Sequence, residues 1–294
     1  MRWNPRPFVD RLLWIRSYPA YHEAPLRFAT RAMAFTWREQ AKAAGDVEFT
    51  ACRGRHFSSP PNNISSFIAA TFDERDLNIT RFWNHALPPE PIIFDIGANI
   101  GLYTVSAGRF AGQGGLVVGF EAHPATFRYL ERNAARQRGA RIVVENLAVG
   151  AQSGQARIAF NASNPGETHM SSGEEHGDPV FMVALDEYCL QHAIPRIDYM
   201  KIDVEGYEAN VLRGAEAIIA ASPDILIQTE YEPRHLARYG DPGTVERLLR
   251  GWNFQPHEIA WRSGRPRPLN SLDGYRGEIV WSRRPPGQPV PDHA

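Results

Sequence analysis

Cysteine is almost missing from this chain: Cys52 and Cys189 are the only two in 294 residues. Two thiols exclude a disulfide framework and a cysteine-built zinc module. Lysine is equally rare, occurring only at Lys42 and Lys201, so the basic residues are almost all arginine. Neither sign of charge is in excess. With 32 basic and 33 acidic side chains the net charge is -1, and no global field draws in nucleic acid or an anionic membrane. No apolar run approaches the roughly 20 residues that a membrane span needs. The opening residues do not lead into a secretory core either, so a cytoplasmic protein is expected. What is present is ordinary: 43% hydrophobic and 22% charged residues describe a soluble globular chain with a sizeable core.

Residues 1–42 stand apart, with eight basic residues against three acidic ones and interleaved aromatics such as Trp3, Trp14 and Trp37. Arg11–Arg16 and Leu26–Gln40 have helical periodicity. Helices packed on the main domain with a solvated arginine face are favoured over a membrane-surface arm, because the basic residues are scattered. Residues 46–58 alternate like a hairpin around Gly54, and Asp73–Ala86 reads as a helix. Pro88, Pro89 and Pro91 then mark a boundary. This divides the chain into an extension (1–88), a main domain (89–284) and a proline-rich tail (285–294) expected to be disordered.

After Pro91 the rhythm changes to strands alternating with helices. Strands are expected over 92–96, 116–120, 141–146, 155–160, 180–184, 197–202 and 225–230, with 253–260 and 277–281 as a closing antiparallel pair. Helices are expected over 102–110, 124–138, 185–192, 207–220 and 234–250. Such alternation implies βαβ units and a doubly wound, mostly parallel sheet. Ligands of such sheets bind at the carboxyl ends of the strands. Those ends carry Asp95, Glu121, Asp203 and Glu230.

The turn after the first of these strands is the most informative. A dinucleotide fingerprint needs glycines where this chain has Gly97, Asn99 and Leu102, so two of three are missing. Asp95 just before the turn adds negative charge where a pyrophosphate would lie. Glu121, at the end of the next strand, is placed to take both hydroxyls of a ribose. A ligand with a ribose, no phosphate and a cationic end describes S-adenosylmethionine.

Two segments then carry a resemblance. Phe94–Thr104 (FDIGANIGLYT) resembles motif I of the FkbM family of S-adenosylmethionine-dependent methyltransferases. Residues 197–208 (IDYMKIDVEGYE), followed by 211–215 (VLRGA), resemble that family's second signature. The resemblance covers about Asp73 to Tyr231. It implies a Rossmann-like class I methyltransferase sheet, expected to have seven strands, and says little about residues 1–60, whose helical and hairpin extension is read from the residues alone. It also implies O-methylation of a sugar, glycolipid or secondary metabolite. Carried across, Gly97, Asn99 and Gly101 should follow the methionine part of the cofactor, with Thr104 near its carboxylate. Glu121 should hold the ribose beside Ala122, while Ala148 and Val149 border the adenine. Asp203 should face the cofactor amine or the acceptor. Ser171 belongs to a loop where the family often places a serine. The segment from Gln228 to Tyr231 departs from the family, which has a more apolar run there.

An aliphatic hydroxyl needs its proton removed before it attacks a sulfonium carbon. Asp203, Glu205 and His123 are the catalytic candidates, and Lys201, alone in an apolar strand, is a partner for Asp203 or Glu230. A divalent ion held by Asp203 and Glu230 is not favoured, because no third ligand is fixed; no metal is expected. The expected partner is a small-molecule or glycan acceptor, with no nucleic acid. The rival readings are an NAD-dependent oxidoreductase, which the missing glycines disfavour, and a non-catalytic scaffold, which the intact acids disfavour.

Overall fold

A computed structural model describes residues 6–41, 45–73, 77–159, 168–171 and 177–286. Three sheets organise the chain. A hairpin pairs β1 (Val47–Ala51) with β2 (Arg55–Ser59), turning at Gly54 as the alternation predicts. The main sheet contains β3 (Ile92–Ile96), β4 (Leu116–Phe120) and β5 (Arg141–Glu145). A smaller sheet contains β6 (Ala148–Val149), β7 (Gly154–Ala159), β8 (His169–Met170) and β9 (Asp178–Val183), in the order β6-β9-β7-β8. The main sheet continues with β10 (Tyr199–Ile202), β11 (Leu226–Tyr231), β12 (Gln255–Ile259), β13 (Pro266–Pro268) and β14 (Gly277–Ser282). Its order is β13-β12-β14-β11-β10-β3-β4-β5. The five strands from β11 to β5 run parallel, and the other three are antiparallel additions.

The main sheet therefore has eight strands, not the expected seven. The extra one, β13, is three residues long with a proline at each end, which hides it from a pattern search. The segment near 180–184 does form a strand, but in the smaller sheet. There β9 pairs with β7 from Gly154 to Ile158.

Both faces of the main sheet are covered, which is why its central strands are apolar almost throughout. Along β3, Ile93 packs on one side with Ile79, Phe82, Trp83 and Tyr199, while Phe94 and Ile96 face the other with Phe120, Met200 and Ile227. The helices are α1 (Arg6–Ile15), α2 (Pro25–Ala41), α3 (Ile64–Phe72), α4 (Leu77–Ala86), α5 (Leu102–Ala111), α6 (Pro124–Ala135), α7 (Leu185–Gln191), α8 (Glu208–Arg213), α9 (Glu216–Ala220), α10 (Pro233–Leu236) and α11 (Thr244–Gly251). Residues before Pro88 share a core with the main domain: Ile15, Phe35 and Phe67 cluster with Ile100, Leu102 and Val105.

Two expected long helices are each broken. Residues 207–220 form α8 and α9, separated at Gly214, where an added Cβ would lie 2.0 Å from the Gly150 carbonyl oxygen. The Asp186 carboxylate accepts from the N–H groups of Ala217 and Ile218, at 3.0 and 2.8 Å, and so caps the new helix. Residues 234–250 form α10 and α11. Between them Gly240 takes φ +129°, and Asp241 Oδ1 accepts from the Gly243 N–H. The expected tail lies almost wholly outside the described residues. Among the described residues no helix is long and apolar enough to cross a membrane.

Candidate active site

The carboxyl ends of β3, β4, β10 and β11 open onto one cleft of about 380 Å³. Its floor is the turn after β3. Gly97 (φ +81°), Asn99 (φ +53°) and Gly101 (φ +87°) are all left-handed, which lets the chain reverse within five residues. A Cβ on Gly97 would lie 1.9 Å from the Asp203 carbonyl oxygen, so the turns after β3 and β10 touch backbone to backbone. The extension holds this floor from the other side. Asn63 caps α3 through its Oδ1 and donates from Nδ2 to Asn99 Oδ1 at 3.0 Å. Asn133 on α6 donates to the carbonyls of Ser58 and Ile100 at 2.9 and 2.8 Å.

Four charged side chains are withdrawn from water here. Asp95 is fully buried, and its Oδ2 accepts from the Thr104 hydroxyl at 2.6 Å, while its Oδ1 has no partner. Burial pushes its pKa up, opposed first by the Lys201 ammonium, which stands opposite Asp95 in the β3–β10 register. Lys201 Nζ is 2.9 Å from Asp203 Oδ2 and 5.1 Å from the centre of the Tyr103 ring. Glu121 accepts from the Asn99 N–H through Oε2 and from the His123 N–H through Oε1, both at 2.9 Å. Burial still lifts its carboxyl to about 7.

Of the expected site residues, Asp95, Gly97, Asn99, Glu121, Ala122, Ala148, Val149, Asp203 and Glu205 line the cleft. Gly101 is beneath it, where a Cβ would meet the Leu130 side chain. Thr104 does not reach the cleft; its hydroxyl is spent on Asp95. Ser171 is outside the lining, with its N–H on the Arg157 carbonyl at 2.9 Å. His123 stands apart from the other catalytic candidates. Its Nδ1 accepts from the Thr126 N–H at 3.4 Å, so the ring caps α6 in front of Pro124 and does not line the cleft. Burial also lowers its pKa.

Other lining residues escaped the sequence reading. His235 on α10 places Nδ1 3.0 Å from Glu205 Oε2 and 3.5 Å from Glu230 Oε2. Trp14, Cys52, Ile64 and Trp83 of the extension form a wall. The departure at Gln228 also has a cause. This buried amide accepts from the Tyr103 and Tyr199 hydroxyls and donates to Glu278 at 2.8 Å.

A sequence profile described as the Methyltransferase FkbM domain matches residues 95–256, more than half of the chain. The chain belongs to the FkbM methyltransferase family. Its methyl donor is S-adenosylmethionine, and the cleft fits that group. The unpartnered, buried Asp95 Oδ1 suits an ammonium, and each Glu121 oxygen can accept a further hydrogen bond. Over 127 residues the chain is 31% identical to the hexuronic acid methyltransferase AglP of Haloferax volcanii, covering 42% of this chain and 50% of that protein. Over 166 residues it is 30% identical to the 31-O-demethyl-FK506 methyltransferase FkbM of Streptomyces tacrolimicus, covering 44% and 61%. Methyltransferase 1 of Beauveria bassiana is 23% identical over 176 residues, covering 52% and 70%. The chain thus spans between half and about 70% of these relatives' lengths. Among solved structures, a SAM-dependent O-methyltransferase from Thermotoga maritima aligns over 69% of this chain and 62% of that one, with TM-score 0.38 and 12% identity.

Proposed function

We propose that the protein transfers the methyl group of S-adenosylmethionine to a hydroxyl of a sugar, glycolipid or secondary metabolite. The observation that carries this reading is the contact of Gly97 with Asp203, which presses the cofactor turn against a carboxylate-bearing turn in one cleft. Of the matched relatives, one is named a hexuronic acid methyltransferase and another a 31-O-demethyl-FK506 methyltransferase.

In this reading Asp95, Gly97 and Asn99 receive the methionine part of the cofactor, with Gly101 shaping the turn beneath them, and Glu121 with Ala122 receives the ribose. Ala148 and Val149 border the adenine. Thr104 fixes the rotamer of Asp95 and is a positioning residue. The bound cofactor supplies an electrophilic methyl on a sulfonium. Much of the acceleration comes from holding an acceptor oxygen in line with it. Asp203 takes the hydroxyl proton, while Lys201 orients its carboxylate and balances the neighbouring Asp95. The buried Trp83 Nε1, which has no partner, offers a donor from the acceptor wall.

Asp203→Asn tests this. Turnover of uronic acid glycosides or polyketide alcohols should fall by about 10²–10⁴, with affinity for S-adenosylhomocysteine little changed. Full activity would remove Asp203 from the mechanism.

A further inference from the structure

We infer that Glu205, Glu230 and His235 bind one divalent transition-metal ion on the acceptor side of the cleft. What the ion does rests on the methyl-transfer reading, whereas its binding does not.

Three separate elements deliver the donors. Glu205 is in the turn after β10, Glu230 is the penultimate residue of β11 and His235 is on α10. One ligand atom from each lies within 4.8 Å of the others. His235 Nδ1 is 3.0 Å from Glu205 Oε2 and 3.5 Å from Glu230 Oε2. Donors about 2.1 Å from a shared ion, at octahedral to tetrahedral angles, stand about 3.0–3.4 Å apart. The two separations from His235 Nδ1 are close to that range, and the two carboxylates come within 4.8 Å of each other.

The frame beneath them is tight. A Cβ on Gly206 would lie 2.2 Å from the His235 carbonyl oxygen, so the two ligand-bearing turns are in backbone contact. The side chains are 15%, 25% and 29% exposed for Glu205, Glu230 and His235, all facing the cleft. Two carboxylates brought together with that little water need a cation between them. A bound ion supplies it and accounts for all three donors converging on one point. Two oxygens and one imidazole nitrogen favour manganese or zinc over calcium, which prefers oxygen alone. Asp203, which the sequence offered beside Glu230 for an ion that was not favoured, pairs with Lys201 at 2.9 Å.

Three protein ligands leave positions for acceptor oxygens. An ion there lowers the pKa of an acceptor hydroxyl. The hydroxyl O–H bond breaks with its proton passing to Asp203, the O–CH₃ bond forms, and the S–CH₃ bond breaks to leave a thioether.

The test is an electron paramagnetic resonance titration of the metal-stripped full chain with Mn²⁺. One bound Mn²⁺ per chain is expected, lost or weakened at least tenfold in Glu230→Gln and in His235→Gln, with circular dichroism unchanged. No saturable Mn²⁺ binding overturns the inference. Binding that persists unchanged in both variants also overturns it. S-adenosylhomocysteine affinity, measured in parallel, reports separately on the methyl-transfer reading.

Discussion

Glu208 and Glu121 share an unusual condition: each is a carboxylate enclosed by protein, and burial lifts each to about 7. Glu208 Oε1 accepts from the Val204 and Gly206 N–H groups, both at 3.2 Å, and so holds together the turn that carries Asp203 and Glu205. Because its folded pKa lies above the unfolded value near 4.5, the native state holds the proton more tightly. Its contribution to stability is present below about pH 4.5 and is lost as pH rises through about 7. The full shift corresponds to roughly 3 kcal/mol. Glu208→Gln does not titrate, so the Tm of this variant minus that of the parent should become more positive from pH 6 to pH 8. A difference that stays flat, or falls, would show that Glu208 is already ionised in the fold. Gly97 is the complementary case. Gly97→Ala puts a methyl on the Asp203 carbonyl at a left-handed φ, and a loss of about 3 kcal/mol or more is expected in denaturant unfolding.

Legibility in the sequence followed locality. Asp95, Glu121 and Asp203 were readable because each ends an apolar strand, and α/β sheets bind ligands at those ends. His235 follows Glu230 by five residues across Pro233, a spacing with no helical or strand period. Its meeting with Glu205 is made by the fold alone. A histidine before a proline reads from the sequence as a turn residue or a base, and only the fold shows the His123 ring capping α6. The breaks at Gly214 and Gly240 were missed for a related reason. Apolar periodicity continues through both, while the close approach of Gly150 and the capping by Asp186 come from distant segments.

The elements of the extension do more than cover the sheet. Helix α1 sends Trp14 to the cleft, where it is 40% exposed and stacks on Phe67 at 6.3 Å between ring centres. Helix α4 sends in Trp83, held edge-on by Tyr103 and Tyr199 at 5.1 and 5.5 Å. In the proposed reaction these walls contribute to acceptor choice. Trp14→Ala removes a partly exposed ring and should cost little stability. Its acceptor KM should rise several-fold while S-adenosylhomocysteine affinity stays within about twofold. An unchanged KM, or a matching loss of cofactor affinity, would place Trp14 outside the acceptor wall.

At the scale of the whole molecule, a mostly parallel main sheet, a hairpin and a small mixed sheet border one cleft, and the extension is cored together with the domain it covers. The near-zero net charge fits a small or glycan acceptor better than a polyanionic one. A ligand that binds only this folded arrangement raises stability by mass action, by about 2.7 kcal/mol at a hundred times its Kd. The most direct measurement is calorimetric titration of the full chain with S-adenosylhomocysteine, with NADH as the control. One saturable site for S-adenosylhomocysteine, abolished in Glu121→Ala, and no heat from NADH is the result expected of the cleft described. Saturable NADH binding without any for S-adenosylhomocysteine would contradict it.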